Sequence, residues 1–192
     1  MLTKTGEYGG DKEREAIFGA LAELNDGRAV LPLIDTMHTS PEPAIRESAA
    51  STLGMLHDER AVQPLLTVLR NSVAKPLLRA AAAMSLGQLG VTHAAGELRQ
   101  LATNERLDLD LRMAAVRAIG DLGDSTAAEP LLRTLGHPHD LAYELTVVET
   151  VGKIATAAAL PLLERVEKSH NEEPVRQAAK EASAAVRAHG AR

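Results

Sequence analysis

The sequence predicts an all-α solenoid, and three observations predict it. A motif recurs about every 32 residues along a 192-residue chain, apolar side chains inside each recurrence fall at three- and four-residue steps, and the composition is rich in alanine and leucine with only three aromatic residues. Self-similarity at such a period marks a repeat architecture. Stepping by three and four marks amphipathic helices rather than strands.

The repeat is anchored at 14, 46, 79, 112, 144 and 176, with separations of 32, 33, 33, 32 and 32 residues. Arg46 to Leu66 lies without gaps on Arg14 to Ile34 and on Arg112 to Leu132. Arg79 to Arg99 keeps the spacing but carries Glu97 where the other units have proline, and Glu144 to Leu163 fits after one deletion.

Taken in order, residues 1–10 lack periodicity and read as a flexible leader, and 11–192 reads as a single repeat domain. Lys12 to Glu23 is the first helix, its charged residues suiting an exposed cap. In the second unit, Ile45 to Leu56 places Ile45, Ala49, Ala50, Leu53 and Leu56 on one stripe, and Arg60 to Arg70 does the same with Val62, Leu65, Leu66 and Leu69, so each unit reads as a helical hairpin. Val175 to His189 is an unpaired last helix and a second cap. Both ends read as finished, with the Ala178, Ala179, Ala182 and Ala185 stripe of the last helix as an alternative docking surface.

Three recurring residue types support the hairpins independently. Asp26, Asp58 and Asp124 precede the second helices, where a carboxylate accepts from unpaired amides for about 1 kcal/mol each. Gly54, Gly87, Gly120 and Gly152 recur near the ends of the first helices. Glycine costs about 1 kcal/mol against alanine there, so its recurrence implies that two helices approach closely. Pro32, Pro64, Pro130 and Pro161 recur in the opening turn of the second helices, where a missing amide is tolerated.

Composition narrows function. With no cysteine, the chain has neither disulfides nor thiolate chemistry, and its start, Met1-Leu2-Thr3-Lys4, lacks the apolar run of a secretory signal, which points to a cytoplasmic location. No apolar run reaches the ~20 residues of a membrane span. A net charge of −5 with three aromatics argues against a nucleic-acid surface.

The pattern of Val, Ile or Leu before Arg, then Ala-Ala, Leu-Gly and Asp-x-Arg-Ala-Val-x-Pro-Leu-Leu resembles the HEAT-like repeats named after the phycobilisome lyases. It spans roughly residues 12 to 190. The resemblance implies a right-handed α-solenoid of about five hairpins plus a C-terminal capping helix, with the second helices lining the concave side. It also offers an activity, that of a bilin lyase subunit or of a chaperone-like factor for a chromophore-bearing protein.

His137-Pro138-His139-Asp140 combines two imidazoles and a carboxylate, types that transition metals accept, yet it replaces ordinary polar connections in the other units and reads as a turn. His170-Asn171-Glu172-Glu173 reads as a solvated loop. The deoxyhypusine hydroxylases, similar in repeat type, bind iron through His-Glu pairs in their first helices. Here the matching positions are Glu47-Ser48, Ala80-Ala81, Met113-Ala114, Leu145-Thr146 and Gln177-Ala178, so that activity is not expected. The HEAT-like alkylpurine DNA glycosylases need aromatics and a basic groove, both missing. There is no Gly-x-Ser-x-Gly elbow, phosphate loop or His-Glu-x-x-His, and Ser85 fits a packing role.

The reading is therefore a non-catalytic scaffold, with no metal or cofactor, that binds a protein or peptide partner on its concave face. The groove residues are Arg28, Arg60, Gln63, Thr67, Arg70, Gln100, Glu129, Arg133 and Glu164. They change from unit to unit, from arginine early to glutamate late, while the buried positions repeat, as a shaped protein-binding surface requires. Oligomeric state is not read from the sequence.

Overall fold

The computed structural model describes residues 11–135 and 140–190, with side chains over 17–135 and 140–188. Eleven α-helices are found among the described residues, and no strand. The first helices of successive units are α1 (Asp11–Leu24), α3 (Pro43–Met55), α5 (Pro76–Gln88), α7 (Leu109–Leu122), α9 (Leu141–Ile154) and α11 (Glu173–Gly190). The second helices are α2 (Val30–Thr39), α4 (Val62–Arg70), α6 (Ala95–Thr103), α8 (Ala128–Leu132) and α10 (Leu160–Ser169). The two sets form two layers of an α-solenoid around one continuous apolar core, sealed unit against unit.

The junction inside each unit is a corner rather than a tight hairpin. A single 3-10 turn precedes every second helix, at Gly27–Ala29, Glu59–Ala61, Thr92–Ala94, Ser125–Ala127 and Ala157–Ala159. The predicted aspartates cap these turns: Asp26, Asp58 and Asp124 accept from the amides of Arg28, Arg60 and Thr126. Pro32, Pro64 and Pro130 are the third residues of α2, α4 and α8, and Pro161 is the second of α10, where no intrahelical donor is lost. Each second helix packs most extensively on the first helix of the following unit, α2 on α3 and α6 on α7, so the closest-packed pairs straddle the unit boundaries chosen from the sequence.

The first helices lie close together, and glycine is the reason. A Cβ added at Gly54 would stand 2.7 Å from Ser85 Cα, and one at Gly87 would stand 2.7 Å from Ala118 Cα. Gly120 and Gly152 face Thr150 and Ala182 in the same manner, at 3.2 and 3.0 Å. Ser85, at this crossing, donates its hydroxyl to Ala50 O at 2.8 Å, a structural task that accounts for a buried serine.

Two end readings change. Ala179 and Ala182 are buried, Ala182 against Gly152, so the alanine stripe of α11 is already covered by this chain. At the other end, the outer face of α1 carries exposed Ile17 and Leu24 rather than a wholly polar cap.

Candidate functional site

The anchor arginines, which the sequence used only as a ruler, have a physical task. Arg46 Nε donates to Met37 O at 3.0 Å, Arg79 Nε to Leu69 O at 2.9 Å and Arg112 Nε to Ala102 O at 3.4 Å. Each acceptor is a last-turn carbonyl of the preceding second helix, where a cation meets unpaired oxygens and the negative end of the helix dipole. Arg79 and Arg112 are buried with no carboxylate partner among the described residues, and burial lowers the pKa of Arg79. Arg112 also lies over the Tyr143 ring, 4.1 Å from its centroid.

Position 144 breaks this series, since glutamate offers no such donor. Tyr143, fully buried beside it, sends its hydroxyl to Ala102 O at 2.9 Å and meets Thr134 Oγ1 at 3.1 Å. The preceding second helix, α8, is correspondingly short, ending at Leu132. Glu144 faces His170 instead, Oε1 to Nε2 at 3.4 Å, with both side chains nearly covered. His170 Nδ1 accepts from the Glu172 amide at 3.2 Å, so the neutral ring carries its proton on Nε2, toward the carboxylate. This corrects the solvated-loop reading of His170: its loop is anchored inward.

The predicted groove residues share the surface of the second-helix layer, and Arg28, Arg60, Gln63, Thr67, Arg70, Gln100, Glu129 and Arg133 are exposed while Glu164 is half-buried. Arg28 and Arg60 sit in 3-10 turns rather than on helices, and each turns back on its own capping aspartate. The Arg28 and Arg60 side chains, seconded by their amides, draw the carboxyls of Asp26 and Asp58 down to about 2. Arg60 Nη2 also reaches Gly27 O at 2.6 Å, tying the second unit to the first. Arg70 clasps Glu97, the residue that stands where the other units have proline, at 2.6 Å. Arg133 pairs with Glu129 and Arg187 with Glu164. Arg99, missed from sequence, joins Asp124 at 2.5 Å and Thr126 Oγ1 at 2.8 Å. Burial raises the pKa of Asp124, but hydrogen bonds from Thr126 and Arg99 outweigh it, so the net shift is downward.

The drift from arginine to glutamate is thus neutralised pair by pair. What stays available is a run of uncharged hydrogen-bonding side chains, Gln63, Thr67 and Gln100, framed by those pairs. Thr67 spends its hydroxyl proton on Gln63 O in its own helix, at 2.9 Å.

The remaining sequence candidates divide. His137 and His139 lie outside the described residues, whereas Asp140 caps α9 by accepting from the Ala142 amide at 2.7 Å. Among the described residues no group of three histidines, aspartates or glutamates is placed to hold a metal. An open depression of about 510 Å³ lies at the ends of α3, α5 and α7, lined by Met55, His57, Gly87, Gln88 and Asp121. Among the described residues no helix is long and apolar enough to cross a membrane.

The model of the family described as HEAT repeats matches residues 11–75, 73–144 and 108–184. The chain belongs to the HEAT-repeat family. Among solved structures, this HEAT-repeat chain is similar to the complex of CpcE and CpcF of phycocyanin lyase from Nostoc sp. PCC7120, at 24% identity and a TM-score of 0.65, covering 97% of this chain and 70% of that one. It is also similar to human deoxyhypusine hydroxylase in complex with glycerol, at 20% identity and a TM-score of 0.43, covering 94% and 70%. No curated protein matches it.

Proposed function

We propose that this HEAT-repeat chain is a non-catalytic, cytoplasmic interaction scaffold that holds a protein or peptide segment along its second-helix face, the side assigned as concave from the resemblance. The observation that carries the reading is the makeup of that face. The charged side chains of the predicted groove are paired within the chain, while Gln63, Thr67 and Gln100 project from neighbouring helices. Preformed helices lose little entropy on binding, and a groove with its charges already matched selects polar, hydrogen-bonding partners over polyanions.

The test is in-cell crosslinking to identify a partner, followed by binding to purified protein. Gln63→Glu, Thr67→Glu and Gln100→Glu together leave the inter-unit ion pairs intact and are expected to weaken binding at least tenfold. Met84→Glu, on the first-helix layer, is expected to leave it unchanged. Equal loss from both, or none from the triple variant, removes this face from the function.

The structural likeness to a phycocyanin lyase complex supports a second reading, a bilin lyase subunit or chaperone-like factor for a chromophore-bearing protein. Titration with a free bilin tests it directly, and an unshifted visible band ends it.

A further inference from the structure

Each unit receives its predecessor on one stripe of its first helix, at three, six and ten residues past the anchor. The first of these positions is Ala49, Ala82 and Ala115 in successive units, all fully buried. At the second, Ser85 and Ala118 lie against the glycines of the preceding helices. At the third, Leu56, Ile154 and Val186 are in the core.

In α1 the same three positions are Ile17, Ala20 and Leu24, and all are exposed, Ile17 at 59% and Leu24 at 73%. The inter-unit interface therefore continues onto a face with the correct residue pattern and no unit resting on it among the described residues. The opposite end is closed. Where the donating faces carry Ala50, Ala83, Val116 and Val148, α11 has exposed Lys180, and where they carry glycine it has Ala184. An added Cβ at Gly54 or Gly87 falls 2.7 Å from the next helix, so Ala184 bars the same close approach. Lys180 and Ala184 together make α11 a poorer donating face than the inner first helices, which counts against head-to-tail stacking of identical copies into open-ended polymers.

We propose that Ile17, Ala20 and Leu24 form a docking surface for the end helix of a second, non-identical helical-repeat chain. That helix runs parallel to α1 and presents an alanine and, four residues later, a glycine, the pair (Ala50 and Gly54) by which α5 receives α3. The surface is separate from the second-helix face and independent of the function assigned to it.

The probe is the full chain with Lys180→Ala and Ala184→Gly, which restores a donating face, combined with Ile17→Glu and Leu24→Glu, which removes its own accepting face. Mixed with wild-type protein in sedimentation velocity, it is expected to form a one-to-one complex of doubled mass, while wild type alone stays monomeric. Using Ile17→Glu, Leu24→Glu protein as the acceptor is expected to weaken the complex at least tenfold, with circular dichroism melts verifying that every variant is folded. No complex between folded components overturns the proposal. So does a complex indifferent to the acceptor substitutions, or a wild-type dimer abolished by them, which would make a second copy the occupant.

Discussion

Replacing Gly87 by alanine tests the close stacking of the first helices. The new Cβ would lie 2.7 Å from Ala118 Cα, 2.9 Å from its Cβ and 3.1 Å from its carbonyl oxygen. Two of those atoms are backbone, so no rotamer change relieves the contact and α5 and α7 must separate. A well-packed interface forced apart by one methyl loses about 1–3 kcal/mol, against about 1 kcal/mol gained in helix propensity. With two backbone atoms in the clash the cost falls in the upper part of that range, about 2–3 kcal/mol, so the net expectation is a loss of about 1–2 kcal/mol, which for a chain of this size lowers Tm by roughly 2–8 °C. Gly19, in α1, is the control: nothing lies within 4 Å of its added Cβ, so alanine there is expected to stabilise by about 1 kcal/mol. Urea and thermal denaturation of both variants, with hydrogen exchange to localise the change to α5 and α7, measure the contrast. A Gly87→Ala protein as stable as wild type would refute the close-approach account.

Two further expectations follow from the helix ends. Arg79→Met removes a charge-assisted hydrogen bond to Leu69 O while relieving a buried cation. Such bonds are worth about 1.5–3 kcal/mol, so a net loss of about 1–2 kcal/mol in urea is expected, and an unchanged midpoint would show that the arginine only fills space. Asp26 and Asp58 titrate in the fold at about 2 rather than their ordinary 3.8. Their folded pKa lies below the unfolded one, so their contribution is complete above about pH 4 and is lost as pH falls toward 2. In Asp58→Asn the decline of Tm across that window should be shallower, and identical profiles would contradict the assignment.

Much of the architecture was legible because it repeats. The capping aspartates, the early prolines and the close-approach glycines each follow from local backbone chemistry, and the structure places them as that chemistry requires. The inside of the site was harder to read. Arg70 looks like a free cation until Glu97, on the next second helix, is known to meet it, and Arg60 looks like a groove residue until its reach to Gly27 O is seen. Both pairings depend on inter-unit register and rotamers, which no single helical period encodes. The anchor arginines were visible as a period but not as helix caps, although each follows its acceptor residue by nine or ten positions. Ile17 and Leu24 were overlooked for the opposite reason: their pattern is that of any core stripe, and only the fold shows which side lacks a neighbour.

Because each glycine accommodates only the helix that follows it, spacing along the rod is set one joint at a time, with no distant residue consulted. A tandem duplication or excision of one unit would therefore lengthen or shorten the molecule by a fixed increment without redesign elsewhere, and reach becomes a trait that can be adjusted by counting.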